Sequence, residues 1–137
     1  MEREDEQSGA SPSLLHGKRI LVIEDSPVVA LACEDMLRDM GCAVVGPATN
    51  MATALQLASD EEFDAAVVDI NIRGGKVFPV LKILAGRGIP FLLASGYADW
   101  SMPEEWQERP RLAKPFSPNL LRESLLALIA DRPSPLE

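Results

Sequence analysis

Ala65-Ala66-Val67-Val68-Asp69 is a run of four small or β-branched apolar residues that ends in a single carboxylate. Acidic residues precede it (Asp60, Glu61, Glu62, Asp64), and Gly74-Gly75 follow it. An uninterrupted apolar run with such borders predicts a strand buried on both faces. A strand of this kind belongs in the middle of a parallel sheet covered by helices. In open α/β sheets ligands bind at the carboxyl ends of the strands. Asp69 is therefore expected at a working edge.

Working outward, Arg19-Ile20-Leu21-Val22-Ile23 is a second buried-strand pattern, and it ends in Glu24-Asp25-Ser26-Pro27. Ser26 suits a helix cap and Pro27 the first helical position. The helix is expected to run to about Met40, with Val29, Ala32, Cys33, Met36 and Met40 on its buried face and Gly41 as its stop. Residues 43–47 read as a short strand. A helix follows from Thr49 or Asn50 to Ser59, with Ala54, Leu55 and Ala58 facing inward. After Asp69, Gly74-Gly75 turns the chain into a helix over 77–87, buried through Val77, Val80, Leu81 and Leu84. Phe91-Leu92-Leu93-Ala94 is the next strand and ends at Ser95-Gly96. Residues 97–110 hold Trp100, Pro103, Trp106 and Pro110 with poor helical spacing, which predicts a short or irregular helix. Arg111-Leu112-Ala113 is a last short strand. Lys114-Pro115-Phe116 then leads into a helix over 119–130 with a stripe of Leu121, Leu125, Leu128 and Ile129.

Five strands alternating with five helices give an α/β fold, a (βα)5 doubly wound parallel sheet with right-handed crossovers. The strand order common to such folds is 2-1-3-4-5. Residues 1–17, acidic and then Ser/Gly/Pro-rich, are expected to form a disordered tail that includes the single histidine, His16. The folded domain is placed at 18–131, with a C-terminal tail at 132–137.

The chain has 137 residues, 47% hydrophobic and 25% charged, enough for one domain with a core of its own. A net charge of −8 argues against broad nucleic-acid binding, so no DNA partner is expected. No apolar run reaches bilayer length and no signal peptide is evident, so a cytoplasmic protein without membrane insertion is expected. Cys33 and Cys42 lack metal-ligand spacing and read as reduced, small hydrophobes.

The strand order brings Glu24 and Asp25 beside Asp69, with Ser95 and Lys114 ending the two following strands on the same edge. Alone, each has a plain reading: a strand-end Asp caps its loop, an acid pair is a solvated turn, a Lys-Pro shapes a turn. Together they are three carboxylates, a hydroxyl and an ammonium at one place. Carboxylates about 4 Å apart repel by roughly 4 kcal/mol per pair at an intermediate effective dielectric. A hard divalent cation relieves this, and Mg²⁺ suits oxygen ligands that leave room for water and phosphate oxygens. A carboxylate held by a cation and a lysine is a plausible nucleophile for an aspartyl phosphate.

These residues resemble those of the receiver domain of two-component response regulators, a flavodoxin-like fold, over about Lys18 to Ala130. The resemblance rests on Glu24-Asp25, on Asp69 in Val67-Val68-Asp69-Ile70-Asn71, on Ser95-Gly96 and on Lys114-Pro115-Phe116. It implies that Asp69 accepts a phosphoryl group from a sensor histidine kinase or phosphotransfer protein. It implies Mg²⁺ held by Asp25, Asp69 and the backbone carbonyl of Asn71, with Glu24 acting through a coordinated water. Ser95 would turn to the phosphoryl group and Lys114 would pair with it. A stand-alone receiver without an output domain would signal through an unknown downstream protein, as a monomer or weak dimer.

Two positions depart from the family pattern. The aromatic switch residue often found three positions before the lysine is replaced by Arg111. Tyr97, two residues after Ser95, is the candidate to take over. Leu93-Ala94-Ser95-Gly96-Tyr97 loosely resembles single-domain receivers with a Phe-Ala-Thr-Gly motif, which suggests a switch in which residues 97–110 order or shift. One rival reading is a Mg²⁺-dependent phosphohydrolase with an aspartyl nucleophile. It expects a second acid two residues after the nucleophile, where this chain has Asn71. The other rival is a degenerate, unphosphorylated binding module, against which the intact Asp69, Lys114 and acid pair count.

Overall fold

A computed structural model describes residues 14–96 and 102–130. Five parallel strands form the central sheet: β1 (Arg19–Ile23), β2 (Ala43–Ala48), β3 (Ala65–Asp69), β6 (Phe91–Ser95) and β7 (Arg111–Ala113). Their order is β2-β1-β3-β6-β7, the expected 2-1-3-4-5 once a small hairpin is set aside. That hairpin pairs two-residue strands, β4 (Asn71–Ile72) and β5 (Gly75–Lys76). The α-helices are α1 (Pro27–Asp39), α2 (Met51–Asp60), α3 (Phe78–Gly86) and α4 (Pro118–Ala130).

Alternation along the strands divides the core between the two faces of the sheet. Leu21 and Ile23 of β1, Ala66 and Val68 of β3, and Phe91 and Leu93 of β6 pack with α2 and α3. Ile20 and Val22, Ala65 and Val67, and Leu92 and Ala94 pack on the other face with Cys33, Leu37, Leu121 and Leu125 of α1 and α4. Both faces being covered explains why β3 and β6 are buried at every position. In β2, Gly46 sits at φ +92 where the register with β1 shifts, and a Cβ there would stand 2.8 Å from the Ala48 nitrogen.

Three expectations need correction. The tail drawn at 1–17 is too long: Leu15 is fully buried in the α1/α4 core, and the Gly17 N–H donates to the Gly41 carbonyl at 2.8 Å. One leucine reaching that core ties down the residues just before β1. The α1 stripe is also displaced. Ala30, Cys33 and Leu37 are buried, while Val29 and Met36 are only half-buried and Ala32 is exposed. The link from β3 to α3 is a hairpin and not a bare turn. It is clipped to the start of α2 by Met51 N–H donating to the Arg73 carbonyl at 2.8 Å. The short or irregular helix expected over 97–110 is, among the described residues, one turn of 3₁₀ helix, Glu104–Trp106; residues 97–101 lie outside the described residues.

That turn covers the sheet through Met102 and Trp106, both in the α2/α3 core. Trp106 meets Phe91 edge-on, with ring centroids 6.0 Å apart, and the Arg109 guanidinium lies over both rings. The wide spacing of apolar residues in this stretch supports a plug but no helical stripe. Tyr97 and Trp100 lie outside the described residues.

Candidate functional site

Register delivers the site residues to one edge. Val68 of β3 pairs with Ile23 of β1, so the two chains leave the sheet together as Asp69 and Glu24. Asp69 pairs with Ala94 of β6, and Ser95 pairs with Ala113 of β7. The Lys114 N–H donates to the Ser95 carbonyl at 2.9 Å, which holds the two strand ends in step. On the β1 side, Ser26 caps α1 through Oγ, which accepts from the Val29 N–H at 3.4 Å, and Pro27 opens the helix. This turn stands Glu24 and Asp25 against the cleft.

The structure brings together Glu24, Asp25, Asp69, Ser95 and Lys114 as the sequence predicts. A carboxylate oxygen from each of Glu24, Asp25 and Asp69 lies within 4.8 Å of the others. Glu24 and Asp69 are buried, and Asp25 is half-buried. Lys114 Nζ donates to Glu24 Oε1 at 3.0 Å and to Asp69 Oδ2 at 3.1 Å. The second oxygens are also engaged: Glu24 Oε2 accepts from the Ser26 N–H at 3.1 Å, and Asp69 Oδ1 accepts from the Asn71 N–H at 3.2 Å. Asn71 begins β4 and is itself exposed. Ser95 Oγ is buried, with no hydrogen-bond partner among the described residues.

Burial, and then the neighbouring Glu24 charge, push the Asp69 carboxyl up to about 6, against the opposing pull of Lys114 and of the Asn71 N–H. For Lys114, burial works against the charged form. The hydrogen bond to Glu24 and the charges of Asp69 and Glu24 outweigh it and raise the ammonium above its ordinary range. Two buried acids thus share one lysine, with Asp25 alongside them. The donor set fits a hard divalent cation: all-oxygen, crowded and under-neutralised. The orphaned Ser95 hydroxyl, held at the same edge, is a polar group awaiting an acceptor.

Beside Lys114 an apolar groove of about 380 Å³ opens between α1 and the loop that joins β7 to α4. Val28, Val29, Met36 and Phe116 are among the residues that line it. The displaced stripe of α1 is its wall. Val28 and Leu31 stand on the same helix with 78% and 58% of their surface exposed. The signal was present in the sequence as apolar residues of α1 that no single buried stripe accommodates.

A family model described as the response regulator receiver domain matches residues 20–126. Among curated proteins, the phyllosphere-induced regulator PhyR of Methylorubrum extorquens is 29% identical over 103 residues, which are 72% of this chain. The chain spans only 39% of PhyR's own length. Among solved structures, SdrG from Sphingomonas melonis Fr1 is 39% identical, with a TM-score of 0.74, covering 82% of this chain and 97% of SdrG. The receiver domain of the sensor histidine kinase PA1611 from Pseudomonas aeruginosa is 25% identical at a TM-score of 0.71, covering 84% and 99%; its structure has a magnesium ion coordinated in the active site cleft.

Proposed function

Because the chain belongs to the response regulator receiver family, we propose that it is a phospho-accepting switch, with Asp69 as the phosphoacceptor. The observation that carries this reading is the sharing of one ammonium, Lys114, between two buried carboxylates with a third alongside. An Asp69 oxygen attacks the phosphorus of a phosphohistidine; the O–P bond forms as the P–N bond breaks, and the imidazole leaves with the electron pair. Asp25, Asp69 and the Asn71 carbonyl are the residues to hold Mg²⁺, with Glu24 behind them. Bound there, the ion would neutralise charge on the carboxylates and the phosphoryl oxygens. Lys114 would pair with a phosphoryl oxygen, and Ser95 Oγ, without a partner among the described residues, would donate to one. Positioning and charge neutralisation supply most of what phosphoryl transfer requires.

The donor is a sensor histidine kinase or a phosphotransfer protein in the cytoplasm. It must bring its phosphohistidine to the cleft, and the apolar groove beside Lys114 gives it a surface to rest on. The output is a contact with a downstream protein, made by the monomer or a weak dimer; the chain is a signalling switch and not a turnover enzyme. Tyr97 would report the state of Ser95 in place of the aromatic residue absent at Arg111. No helix of the described residues is long and apolar enough to cross a membrane.

The test is an amide NMR titration with Mg²⁺ and then beryllofluoride, together with phosphorylation by acetyl phosphate. Saturable shifts near Asp25 and Asp69, spreading to Ser95 and Lys114 with beryllofluoride, are expected. Asp69→Asn should abolish label incorporation. Silence of the wild-type protein in both assays would dismiss the reading.

A further inference from the structure

We infer that the β4–β5 hairpin, clipped to α2 through Arg73 and Met51, positions the Asn71 carbonyl and couples the occupancy of the cleft to the first turn of α2; the inference rests on the phosphoryl-accepting reading above. The carboxylates, Ser95 and Lys114 stand at the ends of long sheet strands. Asn71 does not: it opens a hairpin of two-residue strands. So short a pairing holds itself weakly in water. Its fixings come from outside. The Asn71 N–H donates to Asp69 Oδ1 at 3.2 Å, Ile72 is buried in the α2/α3 core, and the Val77 N–H closes the base on the Ile70 carbonyl at 2.9 Å. The tip is held by α2.

Met51 is the first residue of α2, and the N–H groups of a helix's first turn have no partner within the helix. Asn50 Oδ1 takes one, from Thr53, at 2.9 Å. The Arg73 carbonyl takes another, from Met51, at 2.8 Å, and Asn50 and Arg73 pair as a parallel bridge. The hairpin tip is thus part of the cap of α2. In a ladder, one residue's N–H and C=O face the same side. With its N–H on Asp69, Asn71 turns its carbonyl toward the cleft, and movement of the tip along α2 carries that carbonyl with it. An Asn71 committed to an ion is fixed in place, and through Ile72 and Arg73 it steadies the clip. The effect is reciprocal: a clip that favours the ion is favoured by it. Because α2 packs on the opposite face of the sheet from α1, the state of the cleft reaches a face that the groove beside Lys114 does not share.

Met51→Pro cuts the clip at its donor. Proline suits the first helical position and lacks the N–H, and Asn50, at φ −149 and ψ 168, has the extended backbone favoured before a proline. Met51→Ala is the control: it loses the same side chain and keeps the N–H. In the wild-type protein the Met51 amide should exchange with solvent about tenfold more slowly at saturating Mg²⁺ than without it, while the Glu61 amide, bonded to the Leu57 carbonyl at the far end of α2, is unchanged. In metal-free Met51→Pro the Asn71 amide resonance should move from its position in Met51→Ala. The Mg²⁺ dissociation constant should rise about tenfold in Met51→Pro, the scale of one net hydrogen bond, and stay within about threefold of wild type in Met51→Ala. An amide spectrum checks the fold; if Met51→Pro does not fold, Gly74→Ala takes its place with wild type as its control, because the new Cβ would stand 2.7 Å from Met51 Cβ and press the hairpin off α2. A Mg²⁺ affinity equal to that of the control, or a Met51 amide whose exchange ignores Mg²⁺, would overturn the inference and leave the phosphoacceptor reading standing. A wild-type protein that neither binds Mg²⁺ nor takes up phosphate would remove both.

Discussion

At Asp69, burial and the Glu24 charge act in the same direction and raise the carboxyl from 3.8 to about 6, while Lys114 and the Asn71 N–H oppose them without prevailing. A raised folded-state value means that the protonated form is the one folding favours. Its contribution is fully present below the unfolded value near 3.8 and is lost as the pH rises through about 6. Metal-free protein should therefore lose stability between pH 4 and 6, and Asp69→Asn should remove that slope. At pH 7.5 without divalent cations Asp69→Asn should be more stable than wild type, by on the order of 1–3 kcal/mol in urea unfolding, at about 1.4 kcal/mol per unit of displacement. Added Mg²⁺ should close the gap by stabilising only the wild type. A less stable Asp69→Asn would mean that its bonds to Lys114 and Asn71 outweigh its burial. The convergence of Glu24, Asp25, Asp69, Ser95 and Lys114 at one edge was legible in the sequence because buried parallel strands end there together, so position along the chain translated into position in space. How Lys114 divides itself between Glu24 and Asp69 was not legible. That depends on side-chain lengths meeting within a few tenths of an ångström, which no spacing rule encodes.

Among the elements, the single 3₁₀ turn described between β6 and β7 holds one of the more costly residues to replace. Trp106 is 4% exposed and meets Phe91 edge-on, beneath Arg109. It closes the core where a short or irregular helix was expected, and Gln107 steadies the turn by donating from Nε2 to the Met102 carbonyl at 3.0 Å. Trp106→Ala should cost about 3–5 kcal/mol, the range for emptying a buried aromatic site. The denaturation midpoint should fall with an unchanged urea slope. A loss below about 1 kcal/mol would mean that the turn is not part of the cooperative core. The long buried strands and the helices with clean stripes were readable because periodicity reports burial directly. Two-residue strands such as β4 and β5 carry too few positions to show a period, so the hairpin at Gly74-Gly75 read only as a turn. Gly74, at φ +106 with Met51 Cβ 2.7 Å from where its own Cβ would be, is the local reason that the hairpin lies so close to α2.

For the molecule as a whole, one cleft edge carries the chemistry and an apolar groove lies beside it, on a chain of net charge −8. An exposed apolar strip next to the proposed phosphoacceptor has a consequence for kinetics. A small phosphodonor needs only the cleft, whereas a protein donor must also settle its surface against the groove, where Val28 of α1 is 78% exposed. Desolvating that strip favours the encounter with a protein donor and contributes nothing to the encounter with acetyl phosphate. Val28→Glu should therefore leave phosphorylation by acetyl phosphate and the folded stability close to wild type, since Val28 is 78% exposed. Transfer from a phosphorylated histidine kinase or phosphotransfer protein should slow by tenfold or more, the effect of about 1.4 kcal/mol. The loss should appear in the concentration dependence of transfer and not in its rate at saturation, because the carboxylates, Ser95 and Lys114 are untouched. Equal slowing with both donors would place Val28 in the chemistry. No slowing with either would move the docking surface elsewhere on the molecule, and the hairpin rim at Arg73 and Lys76, on the far side of Asp69 from α1, would be the next place to substitute.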